Sequence, residues 1–218
     1  NIAELSLVLF GLLGVALWDY PIPILAVQVL AVDLIGEIMP LTFLTFDPPS
    51  KEIMNLPPRN PKKHIVNKRI SAEFIFLGIL IGGLAFSNFL LFMQRNGITL
   101  ESKITEDMNN LPFAYMQVGA IAYATIVFCQ YVNIMQWRFD RKTIFNKNIF
   151  TNKILLGSII GSIALVLIAI YAPYISDFFL FGAIKLTDWG FILLAAIIYL
   201  FVFEILKIKR KKKKLKIN

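Results

Sequence analysis

Two acidic side chains stand in the middle of an apolar stretch that is long enough to cross a membrane. The stretch runs from Ala26 to Phe43, and Asp33 and Glu37 lie four residues apart within it. An ionised carboxylate at the bilayer centre costs about 2.5–3.5 kcal/mol on insertion scales. On a helix, residues four apart share one face. The pair is therefore predicted to bind a cation. The alternative is a kinked span whose two acids are satisfied inside a helix bundle.

The same stretch contains Gly36 and Pro40, which disfavour a regular helix. Proline has no N–H, and Pro40 crowds the carbonyl group of Gly36, four residues earlier. Carbonyl groups freed at membrane depth need a polar partner, and a bound cation is one such partner. We expect a helix broken near Gly36 and Pro40, with freed carbonyl oxygens pointing at an ion.

Two further pairs of polar residues lie in apolar runs. Asn1 and Glu4 are three residues apart, and so are Gln130 and Asn133, so each pair shares a helix face. Three carboxylates and three amides facing one another would form an oxygen-rich cage for a hard cation. The site predicted from the sequence therefore comprises Asn1, Glu4, Asp33, Glu37, Gln130 and Asn133.

The composition indicates a membrane protein rather than a soluble domain. Of 218 residues, 57% are hydrophobic, and the mean hydropathy is +0.69. The single cysteine, Cys129, lies in an apolar run and is expected to be a small buried hydrophobe. One cysteine and one histidine exclude a soft-metal site built from this chain alone. The chain opens without Met inside an apolar run, so we expect a fragment of a longer protein, with residues 1–218 forming one domain.

Six membrane helices are expected, which makes the predicted fold an all-α polytopic bundle. They cover approximately residues 1–17, 24–46, 71–93, 112–136, 154–171 and 189–206. Gly82 and Gly83 in the third span are expected to allow close helix approach. The mostly apolar connection between Pro173 and Asp188 is expected at the membrane interface.

Basic residues are distributed very unequally between the two sides of this bundle. Of 22 Lys and Arg residues, 19 fall on one side, and only Arg95, Lys103 and Lys185 fall on the other. The basic side, which includes the tail 207–216, should be cytoplasmic. The net charge of +8 therefore reports orientation and contact with anionic membrane lipid, and it does not indicate nucleic acid as a partner.

Three motifs together resemble the C-terminal membrane half of the type II P-type cation-transporting ATPases. Asn1-Ile-Ala-Glu4 is similar to the Asn-Ile-x-Glu of the family's fifth membrane helix. The segment from Gln28 to Pro40, followed by Asp47-Pro-Pro, resembles the sixth helix, and Pro58-Arg59-Asn60-Pro61-Lys62 resembles the loop after it. The resemblance covers essentially the whole chain. It implies that the six spans are the fifth to tenth helices of a ten-helix pump.

The resemblance also assigns roles to the polar residues. The family's cation ligands correspond to Asn1, Glu4, Asp33 and Glu37. An acid at position 33 resembles the sodium/potassium branch, because calcium pumps usually carry Asn there. Gln130 and Asn133 correspond to a Gln and an Asp of the sodium pump's third site. Two positions depart from the pattern: Gly36 stands where many members have Thr, and Val127 where some calcium pumps have a glutamate ligand.

The resemblance implies the ion-binding half of an ATP-driven pump for Na⁺ and K⁺ or for Ca²⁺. The family's Asp-Lys-Thr-Gly-Thr phosphorylation motif and the actuator's Thr-Gly-Glu do not occur in this sequence. ATP and Mg²⁺ are thus implied only through the remainder of the pump, its first four membrane helices and its cytoplasmic domains. We expect a multi-pass protein of the plasma membrane that does not hydrolyse ATP by itself. The alternatives are a free-standing channel or secondary transporter using the same acids, and a non-transporting structural bundle.

Overall fold

A computed structural model describes residues 1–18, 20–48, 68–96, 113–139, 143–145 and 147–215. The helices in chain order are α1 (Ile2–Trp18), α2 (Ala26–Ala31), α3 (Ile38–Leu44), α4 (Lys68–Arg95), α5 (Phe113–Arg138), α6 (Lys153–Tyr171), α7 (Pro173–Phe179) and α8 (Leu186–Leu215). A π-helical turn, Val32–Glu37, joins α2 to α3, and a 3-10 turn, Lys147–Phe150, precedes α6. These ranges contain no strand. The predicted all-α class is confirmed.

Five of the predicted spans form helices long and apolar enough to cross a membrane. They are Ala26–Leu44, Ile70–Arg95, Phe113–Arg138, Lys153–Tyr171 and Leu186–Arg210, and the shorter apolar helix Ile2–Trp18 precedes them. A multi-pass helix bundle is therefore confirmed. The proline-rich loop 49–67, the stretch 97–112 and the side chains of the tail from residue 211 onward lie outside the described residues.

Helix α5 forms the centre of the bundle. In its most apolar part 83% of residues are buried, against 33–39% in the other four long spans. It packs against α4 and α8, and against the π turn and α3. The outer helices expose apolar side chains, such as Leu9, Leu12 and Leu13 of α1. An apolar exterior around a packed interior is what contact with lipid requires.

Close approach between α1 and α4 depends on two glycines spaced four residues apart. A Cβ atom at Gly82 would overlap Ser6 Oγ, and one at Gly78 would overlap Ile2. Ser6 Oγ also donates a hydrogen bond of 3.2 Å to the Gly78 carbonyl. The predicted close approach is confirmed at Gly82. A Cβ atom at Gly83 would lie 3.8 Å from its nearest neighbour, an ordinary van der Waals distance. The prediction that Gly83 also allows close helix approach is therefore wrong.

The connection between α6 and α8 runs partly inside the bundle. After α7 the chain continues without helix, and Phe181 is only 2% exposed. Its backbone carbonyls are satisfied by side chains of other helices. Gln28 Nε2 donates to Leu180 O at 2.9 Å, and Gln117 Nε2 donates to Ala183 O at 2.6 Å. Non-helical backbone is tolerated inside the bundle because these side-chain amides replace water as hydrogen-bond donors.

Candidate cation-binding site

The irregularity predicted at Gly36 and Pro40 takes the form of a π-helical turn. The N–H of Ile38 donates to the carbonyl of Asp33, five residues back, and Pro40 lies in the first turn of α3. A π turn contains about one residue more than an α-helical turn. The chain therefore stays helical here although Pro40 has no N–H to donate. The helix from Ala26 to Leu44 is therefore continuous, and the expectation of a break is corrected to a local widening.

The carbonyl groups beside the π turn are bound by a side chain. Ser162 Oγ of α6 donates to Ile35 O at 2.9 Å and to Gly36 O at 2.7 Å. These two carbonyls therefore have a side-chain donor in the structure, and coordination of an ion by their second lone pairs stays a prediction. Their polar partner is a hydroxyl from a helix more than a hundred residues later in the chain.

Gly36 is required by the close approach of α5. A Cβ atom at this position would lie 2.7 Å from Val127 Cγ2 and 3.2 Å from Val127 Cγ1, and Val127 is fully buried. Contacts under 3.0 Å force atoms to move. The lack of a side chain at position 36 thus places the backbone of the π turn directly against α5.

Three of the predicted site residues are acids that lie buried or half-buried in the helices. Glu37 is 8% exposed, and its Oε1 has no hydrogen-bond partner. Glu4 is 3% exposed, and both of its carboxylate oxygens lack a hydrogen-bond partner. Asp33 is half-buried. Glu4 and Asp33 both lie within electrostatic range of Glu37. Asn1 is exposed, and its backbone nitrogen lies 3.4 Å from Glu4 Oε2.

The remaining buried and half-buried acids of the described residues are paired differently. They form salt bridges with basic side chains, namely Asp47 with Arg138, Glu73 with Arg210, Asp188 with Arg95 and Glu204 with Lys207. Within the described ranges, no Lys or Arg pairs with Glu4, Asp33 or Glu37. Like charges gathered in a membrane without a basic side chain beside them are strongly unfavourable. This arrangement can attract a cation.

Two of the three predicted amide ligands form a hydrogen-bonded chain behind Glu37. Gln130 lies next to the Glu37 carboxyl. Asn133 Nδ2 donates to Gln130 Oε1 at 2.9 Å, and Tyr199 OH of α8 donates to Asn133 Oδ1 at 2.8 Å. Both amide oxygens therefore already accept one hydrogen bond. These hydrogen bonds connect Tyr199 on α8 to Glu37 in the π turn.

The acids do not close around a single point. Among the described residues, no three His, Cys, Asp or Glu side chains are close enough together to hold a metal ion by themselves. The reason is the packing of the helices. Glu4 is carried by α1, which packs along α4, whereas Asp33 and Glu37 lie in the turn that packs on α5 and α6. Further oxygen ligands would be needed to complete the cage.

Sequence reasoning did not identify Ser162 and Tyr131 as parts of this site. Tyr131 OH donates to Ser162 Oγ at 2.8 Å, directly behind the π turn. A signal was present in the sequence of α6, where Gly157-Ser158 and Gly161-Ser162 repeat after four residues in an otherwise apolar helix. Small and polar residues at this spacing mark a helix-packing face. Cys129 is buried and free, as expected.

Comparisons with known proteins show the family to which the chain is related. Residues 21–208 match the family described as "Cation transporting ATPase, C-terminus". The chain is 30% identical over 212 residues to a calcium-transporting ATPase of Bacillus subtilis (strain 168), covering 97% of this chain and 22% of that protein. It is 31% identical over 195 residues to calcium-transporting ATPase 1 of Bacillus cereus, and the match covers 87% of this chain and 21% of that protein. It is 25% identical over 219 residues to calcium-transporting ATPase type 2C member 1 of Mus musculus, covering 100% and 22%.

These relatives are named as calcium-transporting enzymes, and the nearer relation to sodium/potassium pumps predicted from Asp33 is not supported. That prediction depended on the Asp33 carboxyl group and, more weakly, on Gln130 and Asn133, and such side chains report the charge and polarity of a site rather than descent. The chain spans 21–22% of the length of these three relatives. Since the family match covers most of the chain, the chain belongs to the family formed by the C-terminal region of cation-transporting ATPases.

Proposed function

We propose that this chain is the ion-binding and translocating half of an ATP-driven pump, and that Ca²⁺ is the transported ion. Support comes from the family match and from the calcium-transporting names of its relatives. ATP binding, Mg²⁺ binding and phosphorylation belong to the remainder of the pump. The basic loops and tail face the cytoplasm in this proposal, and the plasma membrane is the location we expect.

The observation that carries the proposal is a set of three acids beside which the described residues place no Lys or Arg side chain. Glu4 and Glu37 are buried in apolar helices with unsatisfied carboxylate oxygens, and Asp33 stands one turn from Glu37. Hard carboxylate oxygens are the ligands that Ca²⁺ prefers. A divalent ion would remove the repulsion among these groups, so the site is more stable occupied than empty.

The amides complete the proposed ligand set. Asn1, Gln130 and Asn133 are candidates for the remaining oxygen ligands. We rank Gln130 and Asn133 behind the acids, because their amide oxygens already accept hydrogen bonds from Asn133 and Tyr199. Gln130 then acts mainly by orienting Glu37.

Transport requires the site to change shape between two access states. The π turn is suited to this because a small shift of its widened backbone would rotate Asp33 and Glu37. Phosphorylation in the cytoplasmic part of the pump would drive that change by shifting the membrane helices.

The test is phosphorylation of the full-length pump from ATP at increasing Ca²⁺, with Na⁺ and K⁺ in parallel. Asp33→Asn should weaken cation binding by about 2–4 kcal/mol, or roughly 30- to 1000-fold. Glu4→Gln and Glu37→Gln should behave similarly. Gln130→Ala should have a much smaller effect. Phosphorylation from inorganic phosphate serves as the folding control.

Two results would contradict the proposal. Stimulation of phosphorylation by Na⁺ or K⁺, with no response to Ca²⁺, would show that the ion is misassigned. Normal Ca²⁺ dependence in Asp33→Asn, together with its loss in Gln130→Ala, would show that the acids are structural.

A further inference from the structure

Pro40 leaves Gly36 O without its α-helical donor, and it leaves Ile35 O without the donor that a π-helical bond would use. It is four residues after Gly36 and five residues after Ile35. An α-helical bond to Gly36 O and a π-helical bond to Ile35 O would both need the N–H that proline lacks. These two carbonyls lie between Asp33 and Glu37, so their direction affects where both carboxylates point.

Ser162 supplies the missing donor to both carbonyl groups. Its side chain is fully buried, and its Oγ lies 2.9 Å from Ile35 O and 2.7 Å from Gly36 O. One hydroxyl hydrogen is shared between the two acceptors. Tyr131 OH of α5 donates to the same Oγ at 2.8 Å, which orients that hydrogen toward the carbonyls. The hydroxyl thus joins α5, α6 and the π turn at one point.

We infer that Ser162, oriented by Tyr131, is a positioning residue for the cation site. The inference rests on the proposed function. By holding the Ile35 and Gly36 carbonyls toward α6, Ser162 maintains the π turn and keeps the Glu37 carboxylate directed at the ion. Ser162 does not contact the ion in this arrangement. Its loss should therefore weaken cation affinity while maximal phosphorylation at saturating cation is preserved.

A neighbouring serine on the same helix provides a matched control. Ser158 is one turn earlier on α6 and also buried, at 4% exposure. Its Oγ donates at 2.7 Å to Leu155 O, a carbonyl of its own helix. Ser158→Ala therefore removes a buried hydroxyl from the same helix without touching the π turn.

The experiment measures the Ca²⁺ concentration for half-maximal phosphorylation from ATP in the full-length pump. Ser162→Ala should raise it about tenfold, the order expected when a buried acceptor loses its hydrogen bond. Tyr131→Phe should raise it about threefold, since the donor remains but loses its orientation. Ser158→Ala should stay within about twofold of wild type, and Ser162→Thr, which retains a hydroxyl, should recover most of the loss.

The possible results separate this inference from the proposed function. A Ca²⁺-responsive wild type with an unchanged Ser162→Ala variant overturns the inference alone, and so do equal losses in Ser162→Ala and Ser158→Ala. If Ser162→Ala cannot be phosphorylated from inorganic phosphate, it has not folded, and Tyr131→Phe decides the question. A wild-type response to Ca²⁺ in that variant then overturns the inference. A wild-type pump that no cation stimulates overturns the proposed function itself.

Discussion

Adding one methyl group at Gly36 should destabilise the protein through a single contact. The new Cβ would lie 2.7 Å from Val127 Cγ2, and Val127 is fully buried on the central helix α5. Overpacking of this kind costs about 1–3 kcal/mol. Replacing glycine by alanine in a helix returns about 0.5–1 kcal/mol. The difference is a net loss of about 0–2.5 kcal/mol, and we expect a value near the middle of that range, about 1 kcal/mol, in Gly36→Ala.

A second substitution tests whether this contact is the cause. Val127→Ala alone should destabilise because it removes buried methyl groups. In the double variant Gly36→Ala/Val127→Ala, the new methyl group enters the space that valine vacated. The two effects should therefore not add, and the double variant should be at least as stable as Val127→Ala.

The assay is thermal unfolding of the full-length pump in detergent, with all variants heated at one scan rate. Gly157→Ala is the control, because a Cβ atom there would meet nothing within 4 Å. It should be neutral or slightly stabilising. If Gly36→Ala raises the unfolding temperature as Gly157→Ala does, or if the double variant shows simple additivity, the steric explanation is refuted.

Three further predictions follow from charge and composition. The Arg138–Asp47 salt bridge is 2.6 Å long, and the Arg138 side chain is almost fully buried. Arg138→Met should therefore lower the free energy of unfolding by an amount toward the lower end of about 3–5 kcal/mol, measured by thermal or denaturant unfolding. The loss should be smaller when Arg138→Met is combined with Asp47→Asn. Cysteines introduced at Ser50 and Ser102 should react with impermeant reagents from opposite sides of sealed vesicles; reaction from the same side would contradict the six-span topology. The purified 218-residue chain should hydrolyse no ATP, and steady turnover free of contaminating ATPase would contradict the assignment of that chemistry to another part of the pump.

The sequence by itself determined the class of the protein and named the acids of the candidate site. Burying apolar side chains and placing a charge in lipid carry large free energies that depend on composition, so the spans and the acids Asp33 and Glu37 stand out without coordinates. The irregular helix at Gly36 and Pro40 was predictable for the same reason, because proline always lacks its N–H. The family resemblance was carried by short motifs, and the family match confirms it.

Only the tertiary structure decided how that irregularity is satisfied. Pro40 requires some partner for the Ile35 and Gly36 carbonyls, but local sequence does not say whether an ion, a water molecule or a side chain provides it. The answer lies in Ser162, which is far away in sequence and reaches the π turn because of how α6 packs. The contact of Gly36 with Val127 is likewise a property of two helices rather than of either sequence segment. Contacts between distant segments depend on the packing of the whole bundle, and local composition carries no record of them.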